Sequence, residues 1–124
     1  MRVISWVAAL FLISCVSASA KCIARAGNGS CLSEQVRGRC LLEVAGKKYI
    51  NRICNIEIEN NGGFSIGADG ASGLFAYVTK YDDGTAQGSW GGARADRRVG
   101  EDLGTLRQKG ACWINSTAKV CAWH

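Results

Sequence analysis

Proline is absent from the 124 residues and histidine occurs once, as His124. Without proline the turns must rest on glycine, of which there are 16, and that suits many short antiparallel strands. A single histidine in the last position, where fraying is normal, argues against a catalytic triad and leaves no expected catalytic residue of that kind. No two cysteines stand at C-x2-C spacing, and with one imidazole this leaves no ligand set for zinc or another transition metal. Beyond Ile13 no apolar run is long enough to span a bilayer. No cofactor is implied.

What is present begins with a leader. "MRVISWVAALFLISCVSASA" (1–20) carries Arg2, an apolar run from Val3 to Ile13, and small residues ending in Ala18-Ser19-Ala20, the layout of a secretory signal peptide cut before Lys21. A second processing route fits the same residues. "LISC" resembles a bacterial lipobox, which would make 1–14 a lipoprotein signal and Cys15 the lipid-bearing residue; membrane contact is expected only in that case. Six cysteines remain on either route: Cys22, Cys31, Cys40, Cys54, Cys112 and Cys121. An even set in a short exported chain reads as three disulfides, with fifteen formal pairings. The expected location is the periplasm or the medium.

Removing the leader leaves 14 Lys and Arg against 10 acids, a net charge near +4 with the signs interspersed. A nucleic-acid module would concentrate that charge and interleave it with aromatics, so no nucleic-acid partner is expected. The length allows one domain, read here as 38–124 behind an irregular N-terminal arm at 21–37.

The order of elements follows from periodicity. "RCLLEVAGKKYINRICNIEIE" holds two apolar, β-branched runs about the turn Ala45 to Lys48, and Ile56 and Ile58 alternate with Glu57 and Glu59. Folding this hairpin brings Cys40 near Cys54. A turn at Asn60 to Gly63, a short strand at Phe64 to Ile66, a strand "LFAYVTKY" and its partner "TAQGSW" continue the meander. Gly91 to Gly110 breaks the rhythm and is expected as a long charged surface loop with a helical turn near Asp96 to Asp102. "GACWINSTAKVCAWH" folds at "NSTA", setting Cys112 opposite Cys121, with Trp113 and Trp123 expected to share the other face. A bridge from Cys22 to Cys31 would hold the arm. The fold class is therefore all-β, a small antiparallel sandwich or barrel stapled by Cys22–Cys31, Cys40–Cys54 and Cys112–Cys121.

Two classes of function fit. The first is a binding protein. Trp90, between glycines and beside a basic loop, would either pack into a small core that has few large side chains or, if exposed, stack on a sugar or anchor an interface, and Arg94, Arg97 and Arg98 would pair bidentately with carboxylates of a protein or polysaccharide ligand. The second is a small hydrolase using paired carboxylates, for which Asp82 with Asp83, or Glu101 with Asp102, are the available acids. Adjacent residues on a strand point to opposite faces, which favours turn chemistry and surface charge for both pairs.

Ser72-Gly73, Tyr77, Thr79, Lys80, Gly84 and Trp90 lie in "SGLFAYVTK" and "DGTAQGSW". These segments resemble the S-G-x-x-Y-like and Y-x-x-x-T-K-G-like segments of the periplasmic and membrane-bound bacterial inhibitors of C-type lysozyme. The likeness covers residues 72–90, with the two segments compressed into one and Tyr81 where that family has glycine. It implies a small β-barrel, export with or without a lipid anchor, inhibition of lysozyme, and a binding role for Tyr77 and Lys80.

Overall fold

The computed structural model describes residues 20–70, 73–91 and 101–124. Residues 1–19, which hold Cys15 and all but the last residue of the expected leader, lie outside the described residues, as do Ser72, Arg94, Arg97 and Arg98. Among the described residues there are nine strands: β1 (Lys21–Arg25), β2 (Cys31–Val44), β3 (Lys47–Glu59), β4 (Phe64–Ile66), β5 (Phe75–Lys80), β6 (Thr85–Gly91), β7 (Glu101–Lys109), β8 (Cys112–Ile114) and β9 (Ala118–Trp123). Each pairs antiparallel with the next, and β9 returns to pair with β2. Strands β2 to β9 thus close an eight-stranded antiparallel barrel, and β1 is added on its rim.

Closure depends on the length of β2. Its C-terminal half, Arg39 to Val44, is shared between β3 and β9, whereas Cys31 to Gln35 lie between β3 and β1. Gly38 sits at the junction. A Cβ there would overlap the carbonyl oxygen of Trp123 and lie 2.9 Å from Ile56 Cδ1, so only glycine lets β9 come this close. The β2–β3 hairpin turns on Ala45 and Gly46, both at positive φ (51° and 80°), the two-residue turn whose twist matches the strands.

Alternation along the strands sends one set of side chains inward. Leu42, Ile56, Ile66, Leu106 and Val120 have no measurable exposure, and Cys40 and Cys54 are bridged among them. Cys112 and Cys121 are direct cross-strand partners and bridged, and Cys22–Cys31 ties β1 to β2, so all three expected disulfides are present. Three disulfides belong to a chain that matures in an oxidising extracellular or periplasmic setting. No helix among the described residues is long and apolar enough to cross a membrane.

Three expectations need correction. The N-terminal arm is not irregular: β1 and the first half of β2 form a hairpin, and β2 begins at Cys31 rather than after Gly38. The first half of β2 runs beyond the barrel wall, where it has little core to face, so its sequence carries no apolar period. The loop after Gly91 is shorter than expected, because Glu101–Lys109 is β7, paired along β6. A bulge between the Gly88–Gly104 and Ser89–Asp102 pairs puts the two buried leucines, Leu103 and Leu106, three residues apart, which hides the period of two. Finally, Trp113 and Trp123 lie on opposite faces. Trp113 faces Val120 across the ribbon and is buried, while Trp123 shares parity with Cys121 and is 41% exposed.

Candidate functional site

Trp90 points inward from β6. It is 9% exposed, its ring centroid is 4.5 Å from that of Tyr49, and it belongs to the core at the end of the barrel away from Lys80. A surface-stacking role is therefore not open to it. Gly88 serves packing: a Cβ there, at the preceding inward position, would come within 2.6 Å of Leu106 Cδ1.

The expected site residues that do reach solvent come from β5, whose alternation serves two surfaces. Outward go Phe75, Tyr77 and Thr79, and just past the strand Tyr81 is also exposed. Tyr77 is 46% exposed, and its direct neighbours across the sheet are two serines, Ser65 on β4 and Ser89 on β6. Neither is tall enough to cover the ring. Phe75 meets Tyr77 edge to face, with centroids 5.6 Å apart and planes at 73°. The outer face of β5 is thus a narrow aromatic ridge between small side chains.

Inward go Ala76, Val78 and, at the end of the strand, Lys80. Its position opposite Ala86 places the ammonium over one mouth of the barrel, with Nζ 5.6 Å from the centre of the Trp113 ring. The mouth is a concavity of about 370 Å³ ringed by the β3–β4 and β7–β8 turns, with Ile56, Ile58, Phe64 and Trp113 among its walls. His124 also lines it, so the only histidine, set aside in the sequence as a fraying end, belongs to this rim. The sequence signal for this site was the parity of Lys80 with Ala76 and Val78.

The carboxylates considered for hydrolysis are placed elsewhere. Asp83 Oδ1 accepts from the Thr85 N–H (2.9 Å) and hydroxyl (2.6 Å), bonds that hold its carboxyl below the ordinary range and shape the β5–β6 turn. Asp102 accepts from the Gly104 N–H (2.7 Å) and the Gln87 amide at the β7 bulge. No Asp or Glu side chain lines the mouth among the described residues. Nor do three or more His, Cys, Asp or Glu among them gather as a metal would require.

One polar cluster was not anticipated. Asp69, in the loop after β4, faces Arg52 (3.3 Å) and Arg37 (3.4 Å) and accepts from the Asn55 N–H (3.1 Å). Burial alone would raise its pKa, but the Asn55 N–H and the Arg52 guanidinium outweigh burial and leave it lowered. The Arg52 guanidinium also donates to the Gly67 carbonyl (3.1 Å), so the cluster latches this loop to β3. In the sequence Asp69 reads only as a turn residue in "ADG".

Fold and site together define a disulfide-stapled, closed antiparallel β-barrel with an aromatic ridge outside β5 and an open mouth at its inner end. Comparison with known proteins finds no matching family model, no matching curated protein and no matching solved structure.

Proposed function

We propose that this is an exported, non-enzymatic binding protein of the bacterial envelope or periplasm that recognises a protein or an envelope glycan. The single observation that carries the reading is the Tyr77 ridge: an exposed ring, buttressed by Phe75, standing between two serines on a barrel face. Exposed aromatic rings on rigid strands supply contact area at low entropic cost, and Tyr is enriched among residues that dominate binding energy. The rigidity comes from closure and from the disulfides, and a rigid surface loses little freedom on association.

Inhibition of a lysozyme is the most concrete form of the proposal. It rests on the resemblance of residues 72–90, whose Tyr77, Thr79 and Lys80 all lie on β5. Export would follow cleavage before Lys21, or lipidation of Cys15 with Val16 to Lys21 as a short tether. A hydrolase reading finds less support, since the acids named for it shape a turn and a bulge.

The test is capture of the oxidised protein on immobilised peptidoglycan, lipopolysaccharide and C-type lysozyme, comparing wild type with Tyr77→Ala. Retention on one of these, weakened about tenfold or more by the substitution, is expected for a residue at the centre of a contact. No retention on any, or equal retention of both proteins, would remove the ridge as the binding face.

A further inference from the structure

The mouth is a different surface from the ridge, and its chemistry is narrower. Lys80 occupies an inward position on β5 at the rim of the apolar concavity, where its neighbours include Ile58, Phe64 and Trp113. A cation held against apolar walls is costly unless something compensates it. The compensation within the chain is the face of the Trp113 ring at 5.6 Å; among the described residues Lys80 has no carboxylate within 4.0 Å. Lys80 is half-buried and lines the opening.

We propose that the mouth is a binding site for a small monocarboxylate with an apolar body, the carboxylate pairing with Lys80 and the body lying against Ile58 and Phe64. Three features select this class. One lysine, with no arginine among the lining residues, matches a single negative charge rather than a phosphate dianion. A concavity of about 370 Å³ falls at the small end of ligand sites, and eight-stranded barrels leave room for one small ligand at most. At roughly 30 Å³ per non-hydrogen atom, as for liquid water, it accepts about a dozen such atoms. The body is an alkyl chain or phenyl ring, because the walls beside Lys80 are Ile58 and Phe64 and the Trp113 ring there is 4% exposed and already faces the ammonium; the exposed ring in the lining, Trp123, covers the rim.

Octanoate and octan-1-ol, which differ in the carboxylate, are the probes. Each is titrated at pH 8 into the oxidised protein and followed by amide and indole NMR shifts. Octanoate is expected to shift Ile58, Phe64 and the Trp113 indole saturably, and octan-1-ol to bind at least tenfold more weakly. Lys80→Ala should weaken octanoate at least tenfold, Lys80→Arg should stay within about threefold, and Tyr77→Ala should bind octanoate as wild type does. Equal binding of acid and alcohol, or no saturable shift at these residues up to 10 mM octanoate, overturns the proposal. So does undiminished affinity in a folded Lys80→Ala. The Tyr77→Ala arm separates the two surfaces: the ridge can fail its capture test while the mouth binds octanoate, and the reverse.

Discussion

Closure of the barrel can be tested at one atom. Gly38 lies where β2 passes from one partner strand to another, and its backbone angles suit any residue, so Gly38→Ala adds a methyl group without forcing the chain into a left-handed conformation. The methyl would overlap the Trp123 carbonyl oxygen and sit 2.9 Å from the carbonyl carbon, against about 3.5 Å or more for a comfortable contact. Ile56 Cδ1 can rotate away, but the Trp123 carbonyl is backbone and can move only with the end of β9. Opening that end sacrifices about two ladder hydrogen bonds at roughly 1 kcal/mol each, and overpacking penalties of 1 to 3 kcal/mol bracket the same figure. The smaller unfolded-state entropy of alanine returns about 0.5 kcal/mol, leaving a net loss of about 1.5 kcal/mol. Urea unfolding of the oxidised protein should show the midpoint falling by about 1 M with an unchanged slope. Gly27→Ala is the control, because a methyl there meets nothing within 4 Å, and it should be neutral or slightly stabilising. If the two substitutions agree within about 0.5 kcal/mol, the end of β9 does not lie against Gly38 and the closure is misplaced.

Trp90→Ala should cost about 3 to 5 kcal/mol in urea unfolding, as large-to-small changes in packed cores do; a fully stable variant would contradict its burial against Tyr49. Replacing Cys40 and Cys54 together with alanine releases a loop of sequence separation 14, and loss of that constraint should cost about 3 kcal/mol in the same assay. Asp69 has a lowered pKa in the fold, so its contribution is complete above the ordinary carboxylate value near 4 and is lost as pH falls through the folded value. Asp69→Asn should therefore cost about 1 kcal/mol at pH 6, and the gap to wild type should narrow as pH falls below about 4; a gap that stays constant down to the acid limit of the folded protein would show that the carboxylate charge plays no part.

The sequence made the fold legible wherever side chains alternate over an enclosed core. Ile56 and Ile58, the "AGKK" turn and the symmetric placement of Cys112 and Cys121 about "NSTA" each carried their element through to the structure. It was silent where a strand leaves the core, as at Cys31 to Gln35, and misleading where a bulge changed the period, as between Leu103 and Leu106. The site was harder to read for a related reason. Trp90 stayed open between core and surface because small residues flank it, and a ring so flanked can stand inside as readily as outside; Gly88 in fact makes room for Leu106 and Leu103. Burial of this kind follows from parity with Ala86 and Gly88, which required knowing that β6 pairs along its whole length with β5.

That same parity explains why β5 is the strand on which both proposed surfaces meet. In a closed barrel every strand has one wet and one dry face, and most here spend the dry face on aliphatic side chains. On β5 the dry face ends in Lys80, at the rim, while the wet face carries Tyr77 three residues earlier. An odd spacing places the two on opposite sides of the wall, so they cannot contact one small ligand together. They could be coupled only through the strand itself, and the strand is held on both edges, by Phe64 and Ser65 on β4 and by Ala86 to Ser89 on β6. Occupancy of the mouth and of the ridge should therefore be independent: saturating octanoate should leave capture on the Tyr77 face unchanged within about twofold, because no bistable element links them. A larger change in either direction would mean that β5 shifts register or tilt when the mouth fills, and that the barrel wall is less rigid than its closure implies.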